Sequence, residues 1–176
     1  TPTVDPWVMS TGTALGTTDN IRVQSTGEVT FPRTPAFFGY LAATVLNKSG
    51  TGTSYQLGAD ALTEVYDVNS DFTTAGVFTA PVDGKYSLTG SATIIDCTAA
   101  TGMSISCVTS NRTYLRPFAR AAGAQNLNNT VSINADMDSA DTAVIQVLST
   151  GEGGDTNDVF GAATNNNTSF GGFLLG

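Results

Sequence analysis

A chain of 176 residues with 15 acidic and 7 basic side chains has a formal charge of -8 and an isoelectric point near 4.1. It therefore lacks the basic field that displaces counterions from phosphates, which excludes nucleic acid, and the same charge disfavours an anionic membrane surface. Histidine is absent, so Ser-His-Asp triads, Cys-His pairs and His-ligated zinc are excluded.

No apolar run approaches the ~18 residues that span a bilayer, so no membrane insertion is expected. No GxxxxGKS phosphate loop occurs, and nothing brings two acidic residues together as a glycosidase pair, so no enzyme is expected. Charged residues make up 12% of the chain, about half the usual ~25%, so Thr, Ser, Asn and Gly must coat the surface. The length suits one domain with a short appendage.

Residues 1–34 read as an arm or stalk end. Pro2, Pro6 and frequent Thr and Gly interrupt any period, leaving only Ile21–Val23 and Val29–Phe31 as short strands. The opening TPTVDPWVM has no basic region followed by an apolar run, so no signal peptide is expected. Trp7, the lone tryptophan, is either tucked against the neighbouring domain or a sister subunit, or it is the arm's anchor in a partner.

Residues 35–176 read as a β domain. Ala36–Leu46 is apolar on both faces: Phe37, Gly39, Leu41, Ala43 and Val45 on one, Ala36, Phe38, Tyr40 and Leu46 on the other. Its Phe, Tyr, Thr and Val content, between Pro35 and Asn47-Lys48-Ser49-Gly50, predicts a strand. Tyr55–Val65 is a second, irregular strand region, and Tyr66 opens a loop leading to a short strand at Phe78. Pro81-Val82-Asp83-Gly84 supplies a reversing turn. After it Tyr86, Leu88, Gly90, Ala92 and Ile94 alternate with Ser87, Thr89, Ser91 and Thr93, the period of a half-buried strand. Cys97 and Cys107 lie symmetrically about Gly102; a hairpin there would bring them within disulfide reach, and the other reading is two small buried hydrophobes.

Met103–Phe118 is a further strand region, in which Arg112, Tyr114, Arg116, Phe118 and Arg120 alternate on one face. That face suits a sugar, an acidic partner or a neighbouring subunit; its plainer reading is a solvated face whose arginines answer nearby carboxylates. Pro117 makes the strand an edge or ends it. Thr130–Ala135 and Thr142–Leu148 are strands, Gly151–Thr168 is a long Gly-, Asn- and Asp-rich loop, and Ser169–Leu175 closes the chain as a strand apolar on both faces. About eight strands without a convincing helix point to an all-β jelly-roll β-sandwich.

A sandwich strand needs one apolar face. The first and last strands of the domain have two, so a second copy of the chain is expected to cover them, and a homo-oligomer built on the terminal strands follows. The interface residues expected from those strands are Phe37, Tyr40, Leu41, Phe170, Phe173 and Leu175. Asp136, Asp138 and Asp141, together with Asp155 and Asp158, are the candidates for a shared calcium ion, although neither loop has the spacing of a known calcium loop. No other cofactor is expected.

Two stretches carry a family likeness. Phe78-Thr-Ala-Pro-Val-Asp-Gly84-Lys-Tyr86-Ser-Leu88 resembles the FxAPxxGxYxF core of the globular head of complement component 1q. Ser169-Phe170-Gly171-Gly172-Phe173-Leu174-Leu175 is similar to that family's closing SxFSGFLL strand. Asp67 and Phe72 match further positions, with Phe72 one residue too near Phe78, and Ala140-Asp141 stands where Gly-Asp is usual. The resemblance implies the ten-stranded jelly roll shared with tumour necrosis factor and a homotrimer whose first, last and third strands lie near the threefold axis. The lead-in from Asn20 to Phe37 is similar to the join between shaft and head in phage tail-fibre proteins.

Together these imply a virion surface protein of a tailed phage. It would be a receptor-binding fibre head or a capsid decoration, held to other virion proteins by its arm and facing a host surface glycan or protein. The alternative is a secreted, extracellular module that recognises glycans or proteins.

Overall fold

The computed structural model describes residues 8–10, 19–23, 26–121 and 124–176; Trp7 lies outside them. Every regular element among the described residues is a strand. The first three, β1 (Val8–Ser10), β2 (Asp19–Val23) and β3 (Val29–Thr30), form a small antiparallel sheet of their own.

The remaining twelve form a sandwich. One sheet contains β4 (Ala36–Tyr40), β5 (Ala43–Ser49), β7 (Thr63–Asp67), β9 (Gly84–Ile95), β12 (Leu127–Met137), β14 (Asn157–Ala162) and β15 (Ser169–Leu174). Its axis is β9, paired along its whole length with β12 on one side, and on the other with β15 over Tyr86–Ser91 and β14 over Ile94–Ile95. Beyond β15 come β4 and then β7. The opposing sheet runs β11 (Thr113–Ala119), β10 (Gly102–Thr109), β13 (Thr142–Thr150), with β8 (Phe78–Thr79) and β6 (Tyr55–Gln56) sharing the far edge of β13.

The alternation along β9 is as the sequence predicts: Tyr86, Leu88, Gly90, Ala92 and Ile94 are buried between the sheets. Gly90 is required there, because a Cβ would stand 2.4 Å from Cδ1 of Ile145 on the facing sheet. An aromatic cluster fills the lower half of the core. Phe37 stacks on Phe78 at 4.5 Å and on Phe72 at 4.7 Å, and meets Phe170 edge-on at 5.0 Å. Residues of the family likeness have physical roles in it. The Asp67 carboxylate accepts the N–H groups of Asp71 and Phe72 at 3.1 and 2.9 Å, which fixes the loop delivering Phe72. The Tyr86 hydroxyl donates to the Val82 carbonyl at 2.8 Å and ties the turn to the core.

Several expectations are corrected. Ala36–Leu46 is two strands, because the chain turns at Leu41–Ala42 and β5 pairs with β14 instead of continuing β4. Tyr66 lies in β7 and not in a loop. The segment 151–168 contains β14, with Val159 fully buried against β9. Gly102 is not a hairpin turn: it opens β10, which belongs to the sheet opposite β9. Cys97 and Cys107 are accordingly free and buried, and burial pushes their thiols up to about 11 and about 12.

Candidate functional site

The outward face of the seven-stranded sheet is divided. Pairing of Phe38 with Tyr66, Gly171 with Phe38 and Phe173 with Ala36 brings aromatic side chains of β7, β4 and β15 together near one end. Ser87, Thr89 and Ser91 of β9, with Ser132 and Asn134 of β12, make the other half a field of hydroxyls and amides. Phe38 and Tyr66 stack at 6.3 Å. Gly171 makes room for this arrangement, since a Cβ there would lie 2.7 Å from Phe38 Cδ2. The result is a depression of about 210 Å³ whose lining includes Phe38, Tyr66, Gly171 and Phe173. Tyr66 and Phe173 are 50% and 49% exposed, and among the described residues no helix exists to cover them.

Three of the six expected interface residues are elsewhere. Phe37, Leu41 and Phe170 are buried in the chain's own core and cannot touch another copy. Tyr40, Phe173 and Leu175 stay on the outside, Tyr40 with its hydroxyl donating to the Ala163 carbonyl at 3.3 Å. Phe38 and Tyr66 belong to the surface in their place. The alternation that put Phe38 with Tyr40 already held that signal.

The arginine face is broken up. β11 is an edge strand, as Pro117 requires. Tyr114, opposite Cys107, turns inward and packs on the core, while Arg116 and Phe118 lie opposite Ile105 and Met103 on the same side, at the sandwich's open edge. Arg112 sits in the preceding turn, where its N–H donates to Thr109 Oγ1 at 3.0 Å. Arg120 serves the fold instead: its guanidinium donates to the carbonyls of Ala124, Thr98 and Ala100. The expectation that these arginines answer carboxylates fails: none of Arg112, Arg116 and Arg120 pairs with a carboxylate among the described residues, where ion pairs instead join Lys48 to Asp60 and Lys85 to Asp136.

The acidic loops do not converge. Asp136, Asp138 and Asp141 lie at the end of the sandwich that holds Pro35 and Leu174, here termed the base; Asp155 and Asp158 lie at the other end, the apex. The nine residues of β13 separate the two loops by about 30 Å, so no single ion can be shared. Four of the five side chains also have partners of their own. Asp141 accepts from the Asp138 N–H, Asp155 from the N–H and hydroxyl of Thr51, and Asp158 from the Asn47 N–H, while Asp136 faces Lys85. Among the described residues no group of three or more potential ligands is gathered.

The apex is organised by a residue that sequence reasoning missed. Asn157, fully buried in β14, accepts from Ser149 Oγ at 2.8 Å and donates to the carbonyl of Asp96 at 2.9 Å and to Glu152 at 3.2 Å. Ser49 extends the network by accepting from the Ser149 N–H at 2.8 Å. Replacing Asn157 with Leu leaves these buried groups unpaired and is expected to cost about 2–3 kcal/mol in a denaturant titration. An unchanged midpoint would show the network to be dispensable.

Glu152 closes the apex loop. Burial raises its pKa, but hydrogen bonds from the N–H groups of Ala99 and Ala100, from Asn157 and from Thr98 outweigh this and leave it below the usual carboxylate range. A depressed folded pKa stabilises fully above the unfolded value near 4.5, and that stability is lost as pH falls through the folded value. The melting temperature should therefore drop below about pH 4.5, less steeply in Glu152→Gln; parallel profiles would contradict this.

No protein-family model matches this sequence, and no curated protein matches it. Solved structures nevertheless share its fold. The globular domain of a zebrafish complement 1qA protein superposes with a TM-score of 0.54 at 17% identity, covering 81% of this chain and 98% of that one. Eiger TNF from S. frugiperda gives 0.55 at 12% identity, covering 82% and 94%. PRD1 vertex protein P5 gives 0.56 at 11% identity, covering 89% and 83%. The chain therefore has the complement 1q and tumour necrosis factor type of jelly roll, and its structural neighbours include a vertex protein as well as complement 1q and tumour necrosis factor domains.

Proposed function

We propose that this chain is a non-enzymatic, homotrimeric virion surface protein of a tailed phage, acting as a receptor-binding fibre or spike head or as a capsid decoration. The observation that carries the proposal is the uncovered aromatic half of the seven-stranded sheet: Phe38, Tyr66 and Phe173 form one patch on a sheet that no second layer among the described residues covers. Water is a poor cover for such a patch, and cyclic association of identical chains is the economical alternative. In this reading residues 1–34 join other virion proteins, and the apex, at the far end from Pro35, faces outward to a host surface glycan or protein.

The vertex protein supports the virion setting. It aligns with 89% of this chain, a larger share than residues 35–176, which are 142 of the 176. A second reading, a secreted recognition module, is favoured by the 17% identity to the complement 1qA domain and by the turn motif from Phe78 to Leu88.

Two measurements test the proposal. Light scattering should give about 54 kDa, three times the 18.1 kDa chain, at micromolar concentration. Gold-labelled antibody against the head should decorate particles of the encoding phage, on the fibres or on the capsid. A stable monomer removes the trimer, and unlabelled particles remove the virion setting.

A further inference from the structure

At the apex, on the same outward face as the aromatic patch, four polar side chains are left over from the fold. Asp96, Asn126, Asn165 and Asn167 surround a depression of about 420 Å³, with the half-buried ring of Phe160 in its wall and Thr93 and Ile95 beneath. The main chain there is held in place. Asn157 binds the Asp96 carbonyl, Ser91 Oγ donates to the Asn167 carbonyl at 2.9 Å, and the Thr93 N–H donates to Thr168 Oγ1 at 3.2 Å. Asp96 itself has φ +60°, a left-handed conformation uncommon for a residue other than glycine. Such strain persists where the surroundings over-determine it and is concentrated at binding sites. By contrast, the Asp96 carboxylate and the three amides show no side-chain hydrogen bond among the described residues, so their bonding capacity points out of the protein.

We propose that this depression binds a neutral saccharide. An amide offers donor and acceptor at a spacing that matches adjacent hydroxyls, a carboxylate accepts two hydroxyl donors, and an aromatic ring takes the apolar face of a sugar ring. The volume falls in the small-molecule range of about 300–1,000 Å³. Charge decides against acidic sugars: the rim carries Asp96, and Arg120, the basic residue of the adjoining loop, is bound to three carbonyls. The site is compatible with assembly, since the aromatic patch sits beside Ser87 and Thr89 and the depression beside Thr93 and Ile95, roughly 15–20 Å further along β9. The inference deepens the receptor-binding reading and takes its biological role from it.

The test is side-chain amide chemical-shift mapping of the full chain with neutral hexose disaccharides and trisaccharides, up to about 10 mM. The expected result is saturable shifts at Asn126, Asn165 and Asn167, and an affinity read at Asn126 that is about tenfold weaker in Asn165→Ala/Asn167→Ala at an unchanged melting temperature. Silence with every neutral saccharide overturns the proposal, as does equal binding by the double variant. Preference for acidic saccharides, with shifts centred on Arg112 and Arg116, also overturns it. The two proposals fail separately: labelled particles without saccharide shifts remove only the depression, whereas saccharide binding without particle labelling removes only the virion setting.

Discussion

Phe38→Asp is expected to turn a particle of about 54 kDa into folded monomers of 18.1 kDa. Phe38 lies half-exposed between Tyr66 and Gly171 on the outward face, so in an isolated chain the new carboxylate reaches water and the core is untouched. In an assembly closed over that patch the carboxylate would be buried without a partner, at about 3–5 kcal/mol for each copy. Phe173→Asp should behave in the same way, being 49% exposed on the neighbouring strand. Light scattering with far-ultraviolet circular dichroism reads both halves of the prediction. Loss of strand signal would mean that the patch is part of the core, and an unchanged oligomer would place the interface elsewhere.

What the sequence could and could not reveal follows from how many faces each strand buries. β9 was legible because its hydroxyl residues mark the outer face without ambiguity. β4 was not, because AFFGY is apolar on both sides and the choice between Phe37 and Phe38 rests on tertiary pairing. That is why three of the six interface residues expected on the terminal strands lie in the core instead. β14 escaped notice for a different reason: it pairs with β5 through two register shifts and with β9 only at Asp158 and Val159, so its pairing imposes no clean period on the sequence. The cysteine symmetry about Gly102 failed because closeness along the chain does not say whether a turn stays within one sheet or crosses to the other. The apex depression is the hardest case, since its residues come from four separate segments and only the fold gathers them.

Phe37→Ala should produce a large loss of stability, although its neighbour Phe38 is expected to tolerate a charge. Phe37 is 1% exposed and its ring touches those of Phe72, Phe78 and Phe170, so truncation opens a cavity lined by three aromatic rings. Such a deletion costs about 3–5 kcal/mol, a large part of the 5–15 kcal/mol that holds a typical domain together. The melting temperature should fall by roughly 6–20 °C for a chain of this length. Because assembly itself adds apparent stability, the comparison belongs in the Phe173→Asp background, where both proteins are expected to be monomeric. In that background Phe37→Ala should melt early while Phe38→Ala changes little. Equal losses at the two positions would mean that β4 buries both faces within a single chain, and the patch would then have no free surface to offer a second copy.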